Sequence, residues 1–369
     1  MRAMTAAVLE AVNEPLVVEE IGITDPRPGE VLVQVAHCGV CHSDLSVIDG
    51  GFPAPLPIVL GHEATGVVAE VGTGVTTVVP GDHVVLTPLP SCGHCYFCSR
   101  GQPTLCAAHS AALFTSTMAD GTSPLERAGQ VVFRGLATAA FAEYAVMPEA
   151  GVVRIPADVD LGVACVLGCA VQTGVGAVLN TAGVEEGATV VVLGAGGIGI
   201  SVTQGAVVAG ASTIVVVEPD PERREGAARF GATHVLDPGA DDVTAAGFDL
   251  TSIGFDYAFE TAGLAALIEQ GLGMIRPGGT VVCVGAPPLE EGITIPNVVA
   301  FSAAEKRLIG CLLGSARSQY DVPRLVALWQ AGRLDPAAMV TARFPLAKVN
   351  EAVEGARARR GLRTVVDIV

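Results

Sequence analysis

The sequence predicts an α/β protein in two parts, a β-rich region followed by a doubly wound parallel sheet. Short valine-rich runs separated by Pro-Gly turns fill roughly the first 150 residues. From residue 188 onward, apolar strands alternate with helical patterns, which is the rhythm of βαβ units. The 369 residues include 45 glycines and only 4% aromatics, a composition that favours small aliphatic packing between parallel strands.

The elements of the β-rich part are short. Alternating or valine-rich runs predict strands at Leu16–Glu20, Glu30–His37 and Ala64–Val71, and the sequences Pro26-Arg27-Pro28-Gly29 and Pro80-Gly81-Asp82 are typical of turns. A long apolar stretch near its end, Leu161–Asn180, predicts a helix or a pair of helices.

The second part reads as alternating strands and helices. The pattern predicts strands at Thr189–Leu193, Thr213–Val217, His234–Leu236, Tyr257–Glu260 and Thr280–Gly285, and helices at Gly199–Ala209, Pro221–Phe230 and Leu264–Ile275. An apolar helix at Val322–Trp329 and a strand at Thr364–Val369 follow.

Charge and hydropathy exclude several classes of function. The 21 basic and 38 acidic residues give a net charge of −17 without a basic block, so we expect no nucleic-acid partner. Leu161–Val184 and Gly187–Val217 are uncharged and long, but glycines interrupt both, so we expect no membrane span. Glu10 and Glu14 lie where a signal peptide needs an apolar core, which predicts a cytoplasmic protein.

A glycine-rich motif follows the predicted strand Thr189–Leu193 and opens a helix. In the motif, one glycine permits a tight turn, one lets pyrophosphate approach the backbone, and one lets helix and strand pack closely. Its residues are Gly194, Ala195, Gly196, Gly197, Ile198 and Gly199. The context predicts a Rossmann dinucleotide-binding unit.

An acidic residue closes the next strand of this unit. Glu218 can accept the ribose hydroxyls of NAD and would repel the 2′-phosphate of NADP, so NAD is favoured. The neighbouring Arg223 and Arg224 leave the 2′-phosphate alternative open.

Four cysteines cluster within a short segment, with the spacing Cys92-x2-Cys95-x2-Cys98-x7-Cys106. Four thiolates on one loop are typical of a closed tetrahedral zinc site that stabilises the fold. The bacterial ferredoxin run needs a last gap of three and a following proline, whereas the last gap here is longer and Ala107 follows. Disulfides are the other alternative, and they are rare in the cytosol.

Three further candidate ligands, Cys41, His62 and Cys169, are far apart in the chain. Taken singly, each is more typical of a packed or hydrogen-bonded structural residue, and spacing alone does not bring them together. The remaining cysteines are predicted to be buried small apolar side chains: Cys38, Cys165, Cys283 and Cys311.

Taken together, these motifs resemble the zinc-containing medium-chain alcohol dehydrogenases over essentially the whole chain. The segment Ala107–Ala140 resembles the long loop of class I/III-type alcohol dehydrogenases, aryl-alcohol dehydrogenases and bacterial nicotinoproteins. The resemblance implies a GroES-like catalytic domain (1–170 and 311–369), a Rossmann NAD-binding domain (171–310) and a homodimer joined near Pro296–Leu308.

The resemblance also implies residue roles. Cys41, His62 and Cys169 would hold a catalytic zinc, with Glu63 near the metal and Asp44 orienting the imidazole, and the four-cysteine loop would hold a second zinc. Ser43 would take the proton of the alcohol. Further cofactor contacts would come from His42, Thr173, Ile198, Val284 and Arg363. Two departures are His42, where many relatives have Arg, and Ser46, where the proton relay often ends in His.

The implied activity is reversible hydride transfer between an alcohol and NAD⁺, giving an aldehyde or ketone. Small residues stand where relatives carry bulky aromatics, so we expect a roomy apolar pocket for aromatic or long-chain alcohols. The pocket residues would be Phe52, Pro88, Ala111, Gly135 and Ala286.

Three alternatives stay open. The first is a nicotinoprotein with permanently bound NAD(H). The second is a thiol-adduct formaldehyde dehydrogenase, disfavoured because residues 107–119 contain no Arg or Lys and only His109. The third is a non-enzymatic, zinc-binding structural member of the fold.

Overall fold

The computed structural model describes residues 1–369 and divides into two compact units, Met1–Ala170 with Arg317–Val369, and Val171–Ala316. Residues 311–316 therefore lie with the second unit, whereas the sequence placed them in the first. The reason is local packing: the Asn180 amide donates to the Gly314 carbonyl at 3.3 Å, and the hydroxyls of Thr181 and Ser315 are 2.8 Å apart.

The chain forms eighteen β-strands and twelve α-helices. The strands are β1 Arg2–Leu9, β2 Val17–Ile23, β3 Glu30–Val40, β4 Ile58–Val59, β5 Glu63–Val71, β6 His83–Leu86, β7 Leu125–Arg127, β8 Gln130–Arg134, β9 Tyr144–Pro148, β10 Val152–Arg154, β11 Thr189–Leu193, β12 Thr213–Val217, β13 His234–Leu236, β14 Phe255–Glu260, β15 Ile275–Cys283, β16 Arg307–Gly310, β17 Val340–Pro345 and β18 Arg363–Asp367. The helices are α1 His42–Ile48, α2 Tyr96–Ser99, α3 Ser110–Thr115, α4 Leu161–Ala164, α5 Ala170–Gly176, α6 Gly197–Ala209, α7 Pro221–Ala227, α8 Val243–Thr251, α9 Ala265–Met274, α10 Val298–Ala303, α11 Ser318–Gln330 and α12 Val349–Arg357.

The first unit is built from two sheets. Strands β1, β2, β7, β8 and β4 close a barrel in that order. The second sheet has the order β10-β6-β5-β3-β18-β17, with β9 also paired to β3. Strand β3 pairs antiparallel with β5, β9 and β18, so most of its side chains are buried. This architecture confirms the predicted β-rich, GroES-like part.

The second unit is a six-stranded sheet of order β13-β12-β11-β14-β15-β16, and every pairing is parallel. Helices cover parallel sheets on both faces, which is why its strands are continuous valine runs rather than alternating ones. Val190, Val191 and Val192 in β11 are fully buried. The strand order reverses between β11 and β14, and ligands of open α/β sheets bind at such a switch point. The predicted Rossmann fold is confirmed.

Most predicted strands of this unit match the structure, with β11 and β12 at their predicted bounds. Strand β15 begins at Ile275, earlier than the predicted Thr280, because a register shift in its pairing with β14 accommodates the turn-like Pro277-Gly278-Gly279. The stretch Leu161–Asn180, predicted as a helix or a pair of helices, forms two helical segments, since Cys169 has φ −136° and ψ −72° and separates a 3₁₀ turn from α5.

Two parts of the first unit differ from expectation. Strand β1 was not predicted, although it pairs with β2 along its length. The segment predicted as the long loop, Ala107–Ala140, contains α3, β7 and β8, and the two strands help close the barrel.

No single helix is long and apolar enough to cross a membrane. The bent pair Leu161–Gly168 and Ala170–Ala182 meets the criterion only when its two parts are counted together, by length and composition alone.

Candidate active site

The carboxylate of Asp44 organises the first group of predicted ligands. Its Oδ2 accepts from the Cys41 backbone N–H at 3.0 Å, and its Oδ1 accepts from the Gly61 N–H at 3.0 Å. Oδ1 also lies 3.2 Å from Nδ1 of His62. Because a carboxylate only accepts, Nδ1 carries the proton and Nε2 is left as the ligand atom. Asp44 is fully buried, so it fixes the imidazole as predicted for a ligand histidine.

The three ligand residues arrive from three separate segments. Cys41 precedes α1, with φ −109° and ψ 156°, and Cys169 occupies the break before α5. His62 follows Gly61, whose φ is +86° and whose hypothetical Cβ would lie 2.8 Å from the Phe141 nitrogen. Glycine is therefore required for the chain to turn His62 into the site.

Glu63 and Arg363 are a buried acid and a buried base beside the three ligand residues. Oε1 of Glu63 accepts from the Ala170 N–H at 2.7 Å, which ties it to the residue after Cys169. Oε2 of Glu63 and Nε of Arg363 are buried without hydrogen-bond partners and lie 3.9 Å apart. Burial raises the pKa of Glu63 to about 7, against the lowering effect of the Arg363 guanidinium.

The donor set fits a catalytic zinc ion. The ligand atoms of Cys41, His62 and Cys169 all lie within 4.8 Å of one another. This limit allows the separation of about 3.8 Å expected between two thiolate sulfurs bound to one tetrahedral zinc ion. A hydrogen bond from Cys169 and the positive charge of Arg363 lower the pKa of Cys41, although burial opposes them. A buried group rich in thiols and carboxylates needs a cation, and three ligands leave a fourth position open for substrate.

The four-cysteine loop forms a second, separate group in the same unit. Its four sulfur atoms lie within 4.8 Å of one another, and Sγ of Cys92 is 4.0 Å from Sγ of Cys98. The Cys92 N–H points to Sγ of Cys106 at 3.3 Å. Backbone N–H groups of Cys98 and Ala107 lower the pKa of Cys95 to about 6, which favours the thiolate that zinc binds. Four sulfur donors complete a tetrahedral shell, so this group fits a closed structural zinc.

The predicted proton acceptor Ser43 lies next to this chemistry. Its Oγ is 3.9 Å from Sγ of Cys41, and its side chain is exposed on α1. The neighbouring His42 is exposed as well, and the Ser46 hydroxyl donates to the His42 carbonyl at 3.1 Å. Ser46 is thus hydrogen-bonded within its own helix, and the roles of Ser43 and His42 stay predictions.

The phosphate-binding turn in the second unit has the predicted geometry. Gly194 has φ +107°, and a Cβ on Gly199 would collide with the Gly194 carbonyl. A Cβ on Gly196 would meet only Nη1 of Arg223, at 3.9 Å. The N-terminus of α6 is therefore open to an anion, with a guanidinium beside it.

Glu218 stands at the end of β12, against this turn. Its Oε2 accepts from the Ala195 N–H at 2.7 Å and its Oε1 from the Asp220 N–H at 3.0 Å. Arg224 is directed elsewhere, since its guanidinium donates to the Glu218 carbonyl at 2.8 Å and pairs with Asp237 at 3.1 Å. A carboxylate held at this place is the arrangement that binds ribose hydroxyls.

The other predicted contacts fall in both units. In the second unit, Thr173 is buried, Ile198 and Val284 are half-buried, and Ala286 is exposed. In the first unit, Pro88 and Gly135 are buried, Phe52 is half-buried and Ala111 is exposed. Their roles stay predictions.

Phe114 is a residue that the sequence reasoning missed. Its ring is stacked on Phe52, with centroids 5.7 Å apart, and 61% of the residue is exposed. An aromatic residue inside the predicted long loop was the available signal, since this chain has few aromatics.

The cysteines outside the two groups are free thiols. Cys38 and Cys165 are fully buried, as predicted. Cys283 and Cys311 are only half-buried, contrary to the prediction, because Cys283 ends β15 and Cys311 follows the edge strand β16.

Comparison with known proteins identifies both parts of the chain. Residues 27–157 match the family described as alcohol dehydrogenase GroES-like domain, and residues 197–331 match the family described as zinc-binding dehydrogenase.

Individual relatives align along nearly the full length. The chain is 38% identical to an NDMA-dependent alcohol dehydrogenase of Amycolatopsis methanolica, over 98% of each chain. It is 37% identical to an S-(hydroxymethyl)glutathione dehydrogenase of Photobacterium damsela subsp. piscicida, again over 98% of each. The crystal structure of benzyl alcohol dehydrogenase from Acinetobacter calcoaceticus superposes with a TM-score of 0.95 at 32% identity, covering all of both chains.

Proposed function

The chain belongs to the zinc-containing medium-chain alcohol dehydrogenase family, and we propose that it oxidises aromatic or long-chain primary alcohols with exchangeable NAD⁺. The observation that carries the proposal is the buried Cys41–His62–Cys169 group, which has ligands for three of the four positions around zinc.

The chain's own residues divide the work. Cys41, His62 and Cys169 would hold the metal, and zinc bound there supplies a Lewis acid that makes an alcohol oxygen acidic near neutral pH. Asp44 holds the proton of His62 at Nδ1 and so orients Nε2 as the ligand atom, and Glu63 anchors the backbone beside Cys169. Ser43 receives the alcohol proton. The glycine-rich turn at Gly194–Gly199 and Glu218 would hold NAD⁺, which would supply the hydride acceptor.

The substrate class is supported by side-chain size. Pro88 is buried and has a small side chain, and the stacked pair Phe52–Phe114 adds an aromatic surface in the same unit. Gly135 adds no space, because a Cβ there would lie 2.6 Å from the Val59 carbonyl oxygen. Relatedness to a benzyl alcohol dehydrogenase points the same way. Each additional buried methylene contributes up to ~0.8 kcal/mol, which favours larger alcohols over ethanol.

The test is a panel of alcohols with NAD⁺, using protein whose zinc content has been measured. We expect about two zinc per chain and a kcat/KM for benzyl alcohol or octanol at least ~10-fold above that for ethanol. Equal values for ethanol and benzyl alcohol would contradict the substrate class. Absence of any zinc-dependent turnover would contradict the enzyme itself.

A nicotinoprotein is the second candidate, in which NAD(H) stays bound and passes hydrides between two substrates. It is favoured by relatedness to an alcohol dehydrogenase named for its dependence on NDMA. Gel filtration followed by denaturation separates the two: stoichiometric NAD(H) in the supernatant would favour the nicotinoprotein, and none would favour exchangeable NAD⁺.

A glutathione adduct is disfavoured as substrate, despite relatedness to an S-(hydroxymethyl)glutathione dehydrogenase. The segment 107–119 offers only His109 for an anionic partner, and burial together with the Arg134 guanidinium lowers the pKa of His109. A neutral imidazole is a poor partner for the carboxylates of such a peptide.

We also propose a homodimer and a cytoplasmic location. Strand β16 is a free edge of the six-stranded sheet, and Val298 and Val299 on the neighbouring α10 are 64% and 78% exposed. Beside them lies a cavity of about 510 Å³, lined by apolar side chains such as Phe301. Sedimentation of the wild type and of Val299→Asp tests the dimer.

The proposed cytoplasmic location is supported by the ten free thiols, which suit a reducing compartment.

A further inference from the structure

Two loops at the carboxyl edge of the parallel sheet are joined by one buried acid, Glu260. It ends β14, directly beside the switch point between β11 and β14 where a dinucleotide crosses the sheet. By this topology, the adenosine half of a bound dinucleotide would lie on the β11–β13 side, which carries Glu218. The nicotinamide half would lie on the β14–β16 side.

The carboxylate of Glu260 shapes the first loop. Its Oε1 accepts from three successive backbone N–H groups, those of Ala262 at 2.7 Å, Gly263 at 2.6 Å and Leu264 at 3.2 Å. These donors lead into α9, whose N-terminal dipole also favours a negative charge. The loop 261–264 is therefore wrapped around one oxygen atom.

The backbone of the same residue holds the second loop. The Glu260 carbonyl accepts from the N–H groups of Val284 and Gly285, both at 3.0 Å. A Cβ on Gly285 would lie 2.6 Å from Oε2 of Glu260 and would collide with the Gly263 nitrogen. The loop 284–286 thus packs backbone to backbone on the first loop, with no room for a side chain between them.

The next residue, Thr261, extends the link to the phosphate-binding turn. Its hydroxyl donates to the Leu193 carbonyl at 2.9 Å and is 3.2 Å from the Gly194 carbonyl. Glu260 and Thr261 therefore connect the turn that receives pyrophosphate to the loop on the nicotinamide half.

Burial makes Glu260 unusual among the acids of this unit. It is fully buried, and its Oε2 has no hydrogen-bond partner. Burial raises its pKa, against the lowering effect of the backbone donors. An acid that only shaped a turn could sit at the surface, as Glu269 does in accepting from the Thr294 N–H at 2.6 Å.

We propose that Glu260 is a positioning residue for the nicotinamide half of the cofactor, holding the loop 284–286 at a fixed distance from the phosphate-binding turn. The inference rests on the proposed function only in taking a nicotinamide dinucleotide as the ligand. It assigns Glu260 no contact with the reacting atoms.

The experiment compares the binding of NADH and of ADP-ribose, which lacks the nicotinamide, by fluorescence and calorimetry without any alcohol. We expect Glu260→Ala to weaken NADH binding at least ~10-fold while ADP-ribose binding changes less than about twofold. The reason is that the variant loses the carboxylate that holds the loop 261–264, on which the loop 284–286 packs. Glu260→Gln keeps an acceptor at Oε1 and should restore NADH binding to within about threefold of wild type.

Two further variants protect the test. Gly285→Ala leaves Glu260 in place but forces the loops apart, and it should reproduce the selective loss of NADH binding even if Glu260→Ala fails to fold. Glu269→Ala is the matched control and should bind both ligands like wild type.

The possible failures are distinguishable. If Glu260→Ala and Gly285→Ala bind NADH like wild type, or lose NADH and ADP-ribose equally, the positioning role is wrong. If wild-type protein binds neither ligand, the proposed NAD-linked function fails instead.

Discussion

The first unit contains two clusters of candidate metal ligands, the four-cysteine group and the three-ligand group Cys41–His62–Cys169, and they differ in burial and in how the chain assembles them. The four-cysteine group comes from one segment, and three of its cysteines, Cys92, Cys95 and Cys98, are partly exposed. The three-ligand group is buried and combines the residue before α1, the residue before β5 and the residue at the break before α5. The carboxylates of Asp44 and Glu63 hold it together by accepting from the backbone N–H groups of Gly61 and Ala170.

The difference teaches how a fold separates stability from reactivity. A local loop can supply four ligands and close the metal shell, so its ion contributes to folding and offers no vacant position. Ligands drawn from distant segments leave one position open, but they require the whole sheet around β3 to be formed first. The two groups should therefore respond to substitution in opposite ways.

The largest effect is expected from Cys169→Ser. It should lower kcat by at least ~10⁴-fold, because a zinc ion bound at this site would lower the pKa of the alcohol hydroxyl by several units. Zinc content should fall from two to one per chain while the unfolding temperature changes little. Cys165→Ser, in the preceding turn and outside the group, is the control and should stay active. Wild-type turnover in Cys169→Ser would remove the distinction between the two groups.

The converse substitution, Cys95→Ser, should act on stability. We expect a loss of roughly 4 kcal/mol in the free energy of unfolding, since opening a structural metal site is among the most destabilising changes. Denaturant titration with parallel zinc analysis measures it, and molecules still folded should keep their kcat. A stable variant with a large loss of kcat would mean that the loop takes part in catalysis.

Asp44→Asn probes the support of the buried group. The asparagine amide has one oxygen in place of two, so it cannot accept from the N–H groups of Cys41 and Gly61 and from Nδ1 of His62 as the carboxylate does. Its NH₂ group could instead donate to Nδ1 of His62, so zinc affinity and kcat/KM should fall 10–100-fold. Competition with a fluorescent chelator gives the affinity. Asp49→Asn, at the other end of α1, is the control, and equal effects in both variants would argue against a role in orienting His62.

The smallest effect is expected from Cys38→Ala. This thiol is fully buried near the catalytic group and donates only to the Gly39 carbonyl, at 3.6 Å. Its loss should cost about 1 kcal/mol of stability, the usual size of a small core truncation, and leave two zinc per chain. A drop in zinc content would show that proximity and burial alone make a cysteine part of the metal site.

Sequence reasoning reached the second unit more fully than the first. Parallel strands buried on both faces are continuous apolar runs, which is why β11 and β12 matched their predicted bounds. The barrel strands β7 and β8 are short and show no clear alternation, so the sequence does not predict them. They pair with each other across a tight turn, but their outer partners β2 and β4, which complete the barrel, are distant in the chain.

The same limit applied to the sites. The four-cysteine group and the glycine-rich turn are local, so spacing was sufficient to predict them. Cys41, His62 and Cys169 were joined only through resemblance to a family, because their proximity depends on sheet pairing. Glu260, Thr261 and Phe114 were missed since their roles arise from backbone contacts or stacking that leave no motif.

The central position of β3 has a consequence for how the protein is made. Its partner β5 leaves the ribosome soon after it, whereas β9 is translated later and β18 much later. The cysteine loop can capture its ion while the chain is still growing. The buried group cannot be complete before Cys169 has been translated, and Arg363, which lies beside Glu63 in this group, is translated later still. The cell would therefore metallate this molecule in two stages, with the reactive ion loaded last.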